Sequence, residues 1–236
     1  MVNGEVVPVG CVDPATLTNL PRMIGPARMK PYLETQANSA DEAIRLYSWN
    51  IEASAAFLGA MSVLEVGLRN AIHEHFRARA EAEDWWNSTL FVTVLDTQTH
   101  RFIDDAERFL RKKKRTGWGP GHVVAELSFA FWVGLLTKKY HKSLWLDRSL
   151  AQAFPHYFGR RDALAEKIDR LRLLRNRAAH HEPIHQRDLM VDLRFMAEVC
   201  GYIHPELKQW VDTHSRLPRV IRERANTISF ARPTRF

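Results

Sequence analysis

Residues 41–83 read DEAIRLYSWNIEASAAFLGAMSVLEVGLRNAIHEHFRARAEAE, and this stretch decides the fold class. Apolar residues recur at Ile44, Tyr47, Ile51, Ala55 and Leu58, then at Leu64, Leu68, Ile72 and Phe76. Steps of three and four put them along one side of an α-helix. No proline interrupts the run, and Gly59 and Gly67 are its only weak points. Ser39-Ala40-Asp41-Glu42 precedes it with the form of a capping box, a hydroxyl followed three residues later by a carboxylate. A helix this long cannot bury its own apolar side, so it requires helical partners.

The flanking sequence supplies those partners. Trp85-Trp86-Asn87-Ser88 breaks the period. Asp96 to Arg115 resumes it, with Phe102, Ala106, Phe109 and Leu110 on the apolar side, and a loop follows at residues 116–121. A third helix, apolar nearly all round and therefore central, is predicted from His122 to about Tyr140. A short helix over Asp147–Ala153 ends before Pro155. The fourth long helix, Arg161 to His180, runs through Leu164, Ile168, Leu171 and Leu174 and is stopped by Pro183. Further helices are predicted over Arg187–Ile203 and Pro205–His214, with a last turn at Val220–Ala225. Residues 1–30 hold four prolines and three glycines without a sustained period, and read as an irregular lead-in. No internal repeat and no alternating strand is evident. The fold class is all-α, an up-and-down bundle of long antiparallel helices. The organisation reads as a lead-in (1–30), one helical domain (31–214) and an arginine-rich tail (215–236).

Composition narrows the function. The 236 residues are 45% apolar and include 12 Phe, 7 Trp and 5 Tyr, enough for a sizeable core and against intrinsic disorder. Cys11 and Cys200, the two cysteines, make neither a disulfide framework nor a zinc knuckle, which fits a reducing cytoplasm. No basic stretch leads into an apolar run at the N-terminus, so no signal peptide is expected. The most apolar segment, Val123–Leu136, is too short to span a bilayer and contains Glu126, so no membrane partner is expected. Net charge is +7 and unevenly spread. Residues 216–236 carry six arginines against Glu223 alone. Two more basic runs are Arg111-Lys112-Lys113-Lys114-Arg115 and the arginines from Arg160 to Arg177. Such clusters suit a polyanion such as nucleic acid, or simply form a solvated surface.

The stretch best suited to chemistry is Leu174-Arg175-Asn176-Arg177-Ala178-Ala179-His180-His181-Glu182-Pro183. It closes an amphipathic helix. Asn176 and His180 share a face, and Arg175 lies about 140° around from His180. Cleavage of RNA needs these residue types. A 2′-hydroxyl attacks the adjacent phosphorus, and histidine serves as the base for that hydroxyl or the acid for the leaving oxygen. A guanidinium holds the charge that builds on phosphate, and Asn176 orients the histidine or donates to phosphate. No metal or cofactor is required. Spacing alone leaves two other readings open. Arg175 and His180 are also ordinary residues for a helix C-terminus. His180, His181, Glu182 and His185 crowd as metal ligands do, though no HExxH pattern exists. Glu65, Arg69, Asn70 and Glu126 are polar residues within apolar helices, as is Asn50. They are either satisfied core hydrogen bonds or an outer layer fixing Arg175 or His180. Glu65 and Arg69 have the spacing of an ion pair. His73 and His75, two apart on a helix, diverge and suit a surface or interface.

Three blocks in fixed order make the chain resemble the Abi-like (abortive infection) proteins of the HEPN superfamily. They are Leu46-Tyr47-Ser48-Trp49-Asn50 with Leu64-Glu65-Val66-Gly67-Leu68-Arg69-Asn70-Ala71-Ile72; Val124-Ala125-Glu126-Leu127-Ser128-Phe129-Ala130-Phe131-Trp132; and Leu174 to Ile184. Together they span roughly residues 28–210. Ala130 stands where the family would have glycine. The resemblance implies a HEPN-like helical bundle, a homodimer with two motifs facing one cleft, and metal-independent endoribonuclease activity in phage defence or toxin-like growth arrest. It maps the family's Arg-x4–6-His motif onto Arg175, Asn176 and His180, with His181 also within the allowed spacing. RNA, tRNA included, is the implied substrate, and an antitoxin protein or RNA is a further implied partner; by their charge, Arg111, Lys112, Lys113, Lys114, Arg115 and Arg177 are the residues expected to contact the RNA. A non-catalytic helical module that binds RNA or a protein is the alternative.

Overall fold

Ser39 opens the long helix as its sequence predicts: its hydroxyl accepts from the Glu42 amide at 3.4 Å. The helix that follows, α3, runs unbroken over Ala40–Ala80. These features belong to a computed structural model that describes residues 14–37, 39–114, 116–229 and 232–236. The chain is all-α, with no strand among the described residues. Two helices precede α3, namely α1 (Pro14–Ile24) and α2 (Pro26–Thr35). After it come α4 (Thr97–Lys114), α5 (Pro120–Glu126), α6 (Phe129–Gly134), α7 (Arg161–Ala179), α8 (Leu189–Ile203), α9 (Pro205–His214), α10 (Leu217–Arg222) and α11 (Arg224–Ile228).

The described chain falls into two compact units. The first holds the described residues through Ala60, Leu174–Leu193, and His214 onward. Its interior includes Met29, Tyr32, Ile44, Leu46, Trp49, Phe57, Leu174, Ala178, Ile184 and Val220. The Trp49 indole donates to the Val220 carbonyl at 2.8 Å, tying α10 to α3. The second holds Met61–Leu173 and Arg194–Thr213. Its aromatic heart is Phe76, Trp85 and Phe91, with ring centroids 4.7–5.2 Å apart.

The sequence reading needs correcting in several places. Residues 14–30, expected to be irregular, are helical except at Gly25, where α1 gives way to α2. Pro14 and Pro26 open α1 and α2 at the first turn, where a missing N–H costs nothing. The expected third helix is broken in two. Leu127 and Ser128 are extended, and Ser128 Oγ caps α6 by accepting from Phe131 N at 3.3 Å. Glu126 ends α5 and is exposed, so it is no buried core group. The short helix expected over Asp147–Ala153 is a turn at 147–148 and a 3₁₀ helix over Leu150–Ala153, preceded by a π-helix over His141–Leu146. On α4 the buried stripe is Thr99, Ile103, Ala106 and Leu110, while Phe102 and Phe109 face solvent. His73 is buried and accepts from the Trp85 indole at 3.2 Å; His75 bonds the Arg148 carbonyl at 2.8 Å. Burial lowers both histidine pKa values. Val123–Leu136 is also not the most membrane-like segment. α3 contains an apolar window long enough to cross a bilayer, half of it buried within the protein.

The C-terminal stretch is not a loose basic tail over its described residues. Leu217, Val220 and Thr227 are buried. Arg232 pairs with buried Glu52 at 2.6 Å and with Glu223 at 2.5 Å. Arg224 donates to the His185 carbonyl at 2.9 Å and lies over the Trp49 ring, 4.9 Å from its centroid. Two of the six arginines therefore hold the first unit together.

Candidate functional site

The end of α7 builds the site, and its backbone explains why the chain turns there. Glu182 N bonds Arg177 O at 2.8 Å, and His181 N bonds Ala178 O at 3.1 Å. These are the paired bonds of a Schellman cap, with His180 as the capping residue and His181 in the left-handed position, φ +58°. Glycine normally fills that position, because a Cβ there costs about 1–2 kcal/mol. The fold holds His181 in a strained conformation, and His180 begins the turn instead of extending the helix.

Four side chains fix this turn, three of them from elsewhere in the chain and one, Arg177, from the end of α7 itself. Asn50, 2% exposed, accepts from the Ile184 amide at 2.8 Å and donates to the Glu182 carbonyl at 3.5 Å. Arg28 donates to the His181 carbonyl at 2.5 Å. Arg177 donates to the Pro183 carbonyl at 2.5 Å, with Glu182 3.4 Å away. Arg224 grips the carbonyl of His185, the last residue of the turn. Each carbonyl from His181 to Pro183 and that of His185 thus receives a side-chain donor, except that Ile184 is held through its amide.

His185 is buried beneath the turn. Thr35 spends its hydroxyl proton on the Pro31 carbonyl at 2.7 Å, so the 3.0 Å contact to His185 is a donation from Nε2–H. Nδ1 is then unprotonated and has no partner among the described residues. The ring lies 4.8 Å from that of Tyr32. Burial, then the charges of Arg224 and Arg177, push the His185 pKa down to about 4.

Arg175 and Asn176 are half-buried on the last turns of α7, and His180 is exposed just beyond. The three lie within six consecutive residues on one rigidly capped helix end. A cavity of about 630 Å³ opens beside it in the first unit, bordered by Tyr47, Asn50, Ser54, Leu58, Ala178 and His181. Ser54 Oγ is buried there without a hydrogen-bond partner among the described residues. His181, not His180, faces this space.

The other predicted site residues lie elsewhere. Glu65, Arg69, Asn70 and Glu126 belong to the second unit. There Arg69 donates to Asn70 Oδ1 at 3.4 Å, and Glu65 and Arg69 border a small cavity of about 110 Å³ with Leu127, Phe129 and Trp132. Arg111, Lys112 and Lys113 are exposed on α4, also in the second unit. Lys114 ends that helix, and Arg115 lies outside the described residues. Arg177 is spent largely on Pro183 and Glu182. Among the described residues no three His, Cys, Asp or Glu side chains converge as metal ligands, and His185 points into the core, away from an open site. Sequence reasoning missed Arg28 and Arg224 as clamps of the turn. Asn50 did carry a signal, as a polar residue on an apolar helix face.

No family model, no curated protein and no solved structure matches this chain.

Proposed function

We propose that the chain is a cytoplasmic, HEPN-type endoribonuclease that cuts RNA without a metal ion, as an effector of phage defence or toxin-like growth arrest. The observation that carries this is the capped end of α7, which presents Arg175, Asn176 and an exposed His180 from one immobilised turn. In this reading Arg175 holds the phosphoryl oxygens, His180 moves the proton and Asn176 orients the histidine or the phosphate. The side-chain donors on the carbonyls of His181, Glu182, Pro183 and His185 support it, since proton transfer depends on a histidine held in place. A homodimer would set two such turns against one RNA strand.

Controlled expression in bacteria tests the activity. The wild-type chain should arrest growth, and Arg175→Ala and His180→Ala should each relieve the arrest at equal protein levels. Growth unaffected by the wild type, or arrest that survives both substitutions, would favour the binding module over the enzyme.

A further inference from the structure

The second unit holds a basic hollow that the proposed cleavage does not use. It measures about 830 Å³ and is bordered by five cations, Lys138, Lys139, Lys142, Arg160 and Arg161, with Asp162 the one carboxylate among its lining residues. The three lysines come from the 3₁₀ and π-helical segments after α6, Arg160 immediately precedes α7 and Arg161 opens it. They are not equivalent. Lys139 is tied to Asp96 at 2.5 Å. Arg160 grips Asp162 with two bonds, 2.6 and 3.1 Å. Arg161 is anchored by a bond to the Leu136 carbonyl at 2.5 Å, yet its Nε is buried without a hydrogen-bond partner among the described residues. Lys138 and Lys142 are exposed and form no ion pair among the described residues. Three cations bordering one concavity without a carboxylate partner among the described residues call for an anionic ligand.

The rim shows which anion. Phe158 is 94% exposed and directly precedes Gly159, which borders the hollow. A side chain at 159 would meet Tyr157 Oη at 2.5 Å, so glycine lets the Tyr157 ring close against the turn. That ring's hydroxyl donates to the Arg160 carbonyl at 2.7 Å, fixing the 158–160 corner. The result is an open aromatic ring one residue away in sequence from the lining of a basic hollow, and cations with a neighbouring open ring are the pairing that single-stranded nucleic acid uses: phosphates on the cations, a base on the ring. A duplex offers phosphates but no free base face.

We propose that this hollow is a second RNA-binding site, taking the phosphates of a single strand on Lys138, Lys142 and Arg161 and stacking a base on Phe158. It rests on the reading of RNA as the polymer on which the chain acts. The test is fluorescence anisotropy of a labelled single-stranded oligoribonucleotide against the full chain carrying His180→Ala, titrated across roughly 50–200 mM salt. Lys138→Gln with Lys142→Gln should lower the slope of log affinity against log salt by about 1.4, at about 0.7 per lost phosphate contact. Phe158→Ala should weaken binding about tenfold and leave that slope unchanged. Affinity and slope unaltered in both variants would overturn the site. So would loss of binding to phosphatidylserine vesicles in the lysine variant while RNA binding stays intact, which would make the hollow a membrane contact. Cleavage by the wild type with a flat binding series sinks this site alone; the expected binding series without any cleavage sinks only the ribonuclease reading.

Discussion

Replacing Asn50 with alanine should loosen the turn that carries His180 without touching the motif itself. Asn50 is 2% exposed, so water does not replace what it gives up. Its Oδ1 satisfies the Ile184 amide at 2.8 Å, and Ile184 is itself buried. Leaving a buried donor unpaired costs about 1–3 kcal/mol. The second bond, to the Glu182 carbonyl at 3.5 Å, sits at the limit of hydrogen-bonding distance and adds little. The opening free energy of the turn should therefore fall by about 1–3 kcal/mol, which is roughly a fivefold to 150-fold faster amide exchange at Ile184. Hydrogen exchange read residue by residue gives this directly, with amides of the Phe76–Trp85–Phe91 cluster as an internal reference. Cleavage should fall in the same variant, because the histidine loses its fixed position. An Ile184 exchange rate within twofold of the wild type would refute the reasoning, since it would mean Asn50 carries no tension in holding the turn.

Other consequences follow from the same contacts. His181→Gly should stabilise the chain by about 0.5–1 kcal/mol by relieving the left-handed strain, measured by urea denaturation; retained cleavage in that variant assigns the proton transfer to His180, and lost cleavage assigns it to His181. The folded pKa of His185 lies below its ordinary value, near 4, so the unfolded chain takes up that proton first as pH drops. Stability from this group is complete above about pH 6.5 and lost progressively toward pH 4, by about 3 kcal/mol in total, and His185→Gln should flatten that part of the stability–pH curve. Arg232→Ala leaves the carboxylate of Glu52, 2% exposed, without its cation and should cost about 3 kcal/mol, whereas Arg235→Ala should change denaturation by under about 0.5 kcal/mol.

What the sequence could and could not reveal follows from where each signal lives. α3, α7 and α9 were legible because their cues are local: the Ser39 cap, the steps of three and four, and the prolines at 183 and 205. The split between α5 and α6 was not, because Ser128 caps a helix from within a run whose apolar pattern looks continuous. α1 and α2 were obscured by prolines that read as breakers, of which Pro14 and Pro26 stand where a helix begins while Pro21 and Pro31 lie within one. On α4, Phe102 and Phe109 outweighed Thr99 and Ile103 by hydrophobicity, yet the smaller residues face the core. At the site, the Arg175–His180 stretch stood out by composition. Its cap did not, because the left-handed position carries histidine in place of glycine. Arg28, Asn50 and Arg224 reach that turn from positions far away in the chain, a relation no local pattern records.

The central claim is that the end of α7 cuts RNA through its own side chains. The most direct measurement incubates purified wild-type protein with total bacterial RNA in EDTA beside Arg175→Ala and His180→Ala, and reads the chemistry of the new ends. New 2′,3′-cyclic phosphate ends from the wild type, absent with both variants, are the predicted result. Intact RNA with the wild type, or the same ends from both folded variants, would contradict it.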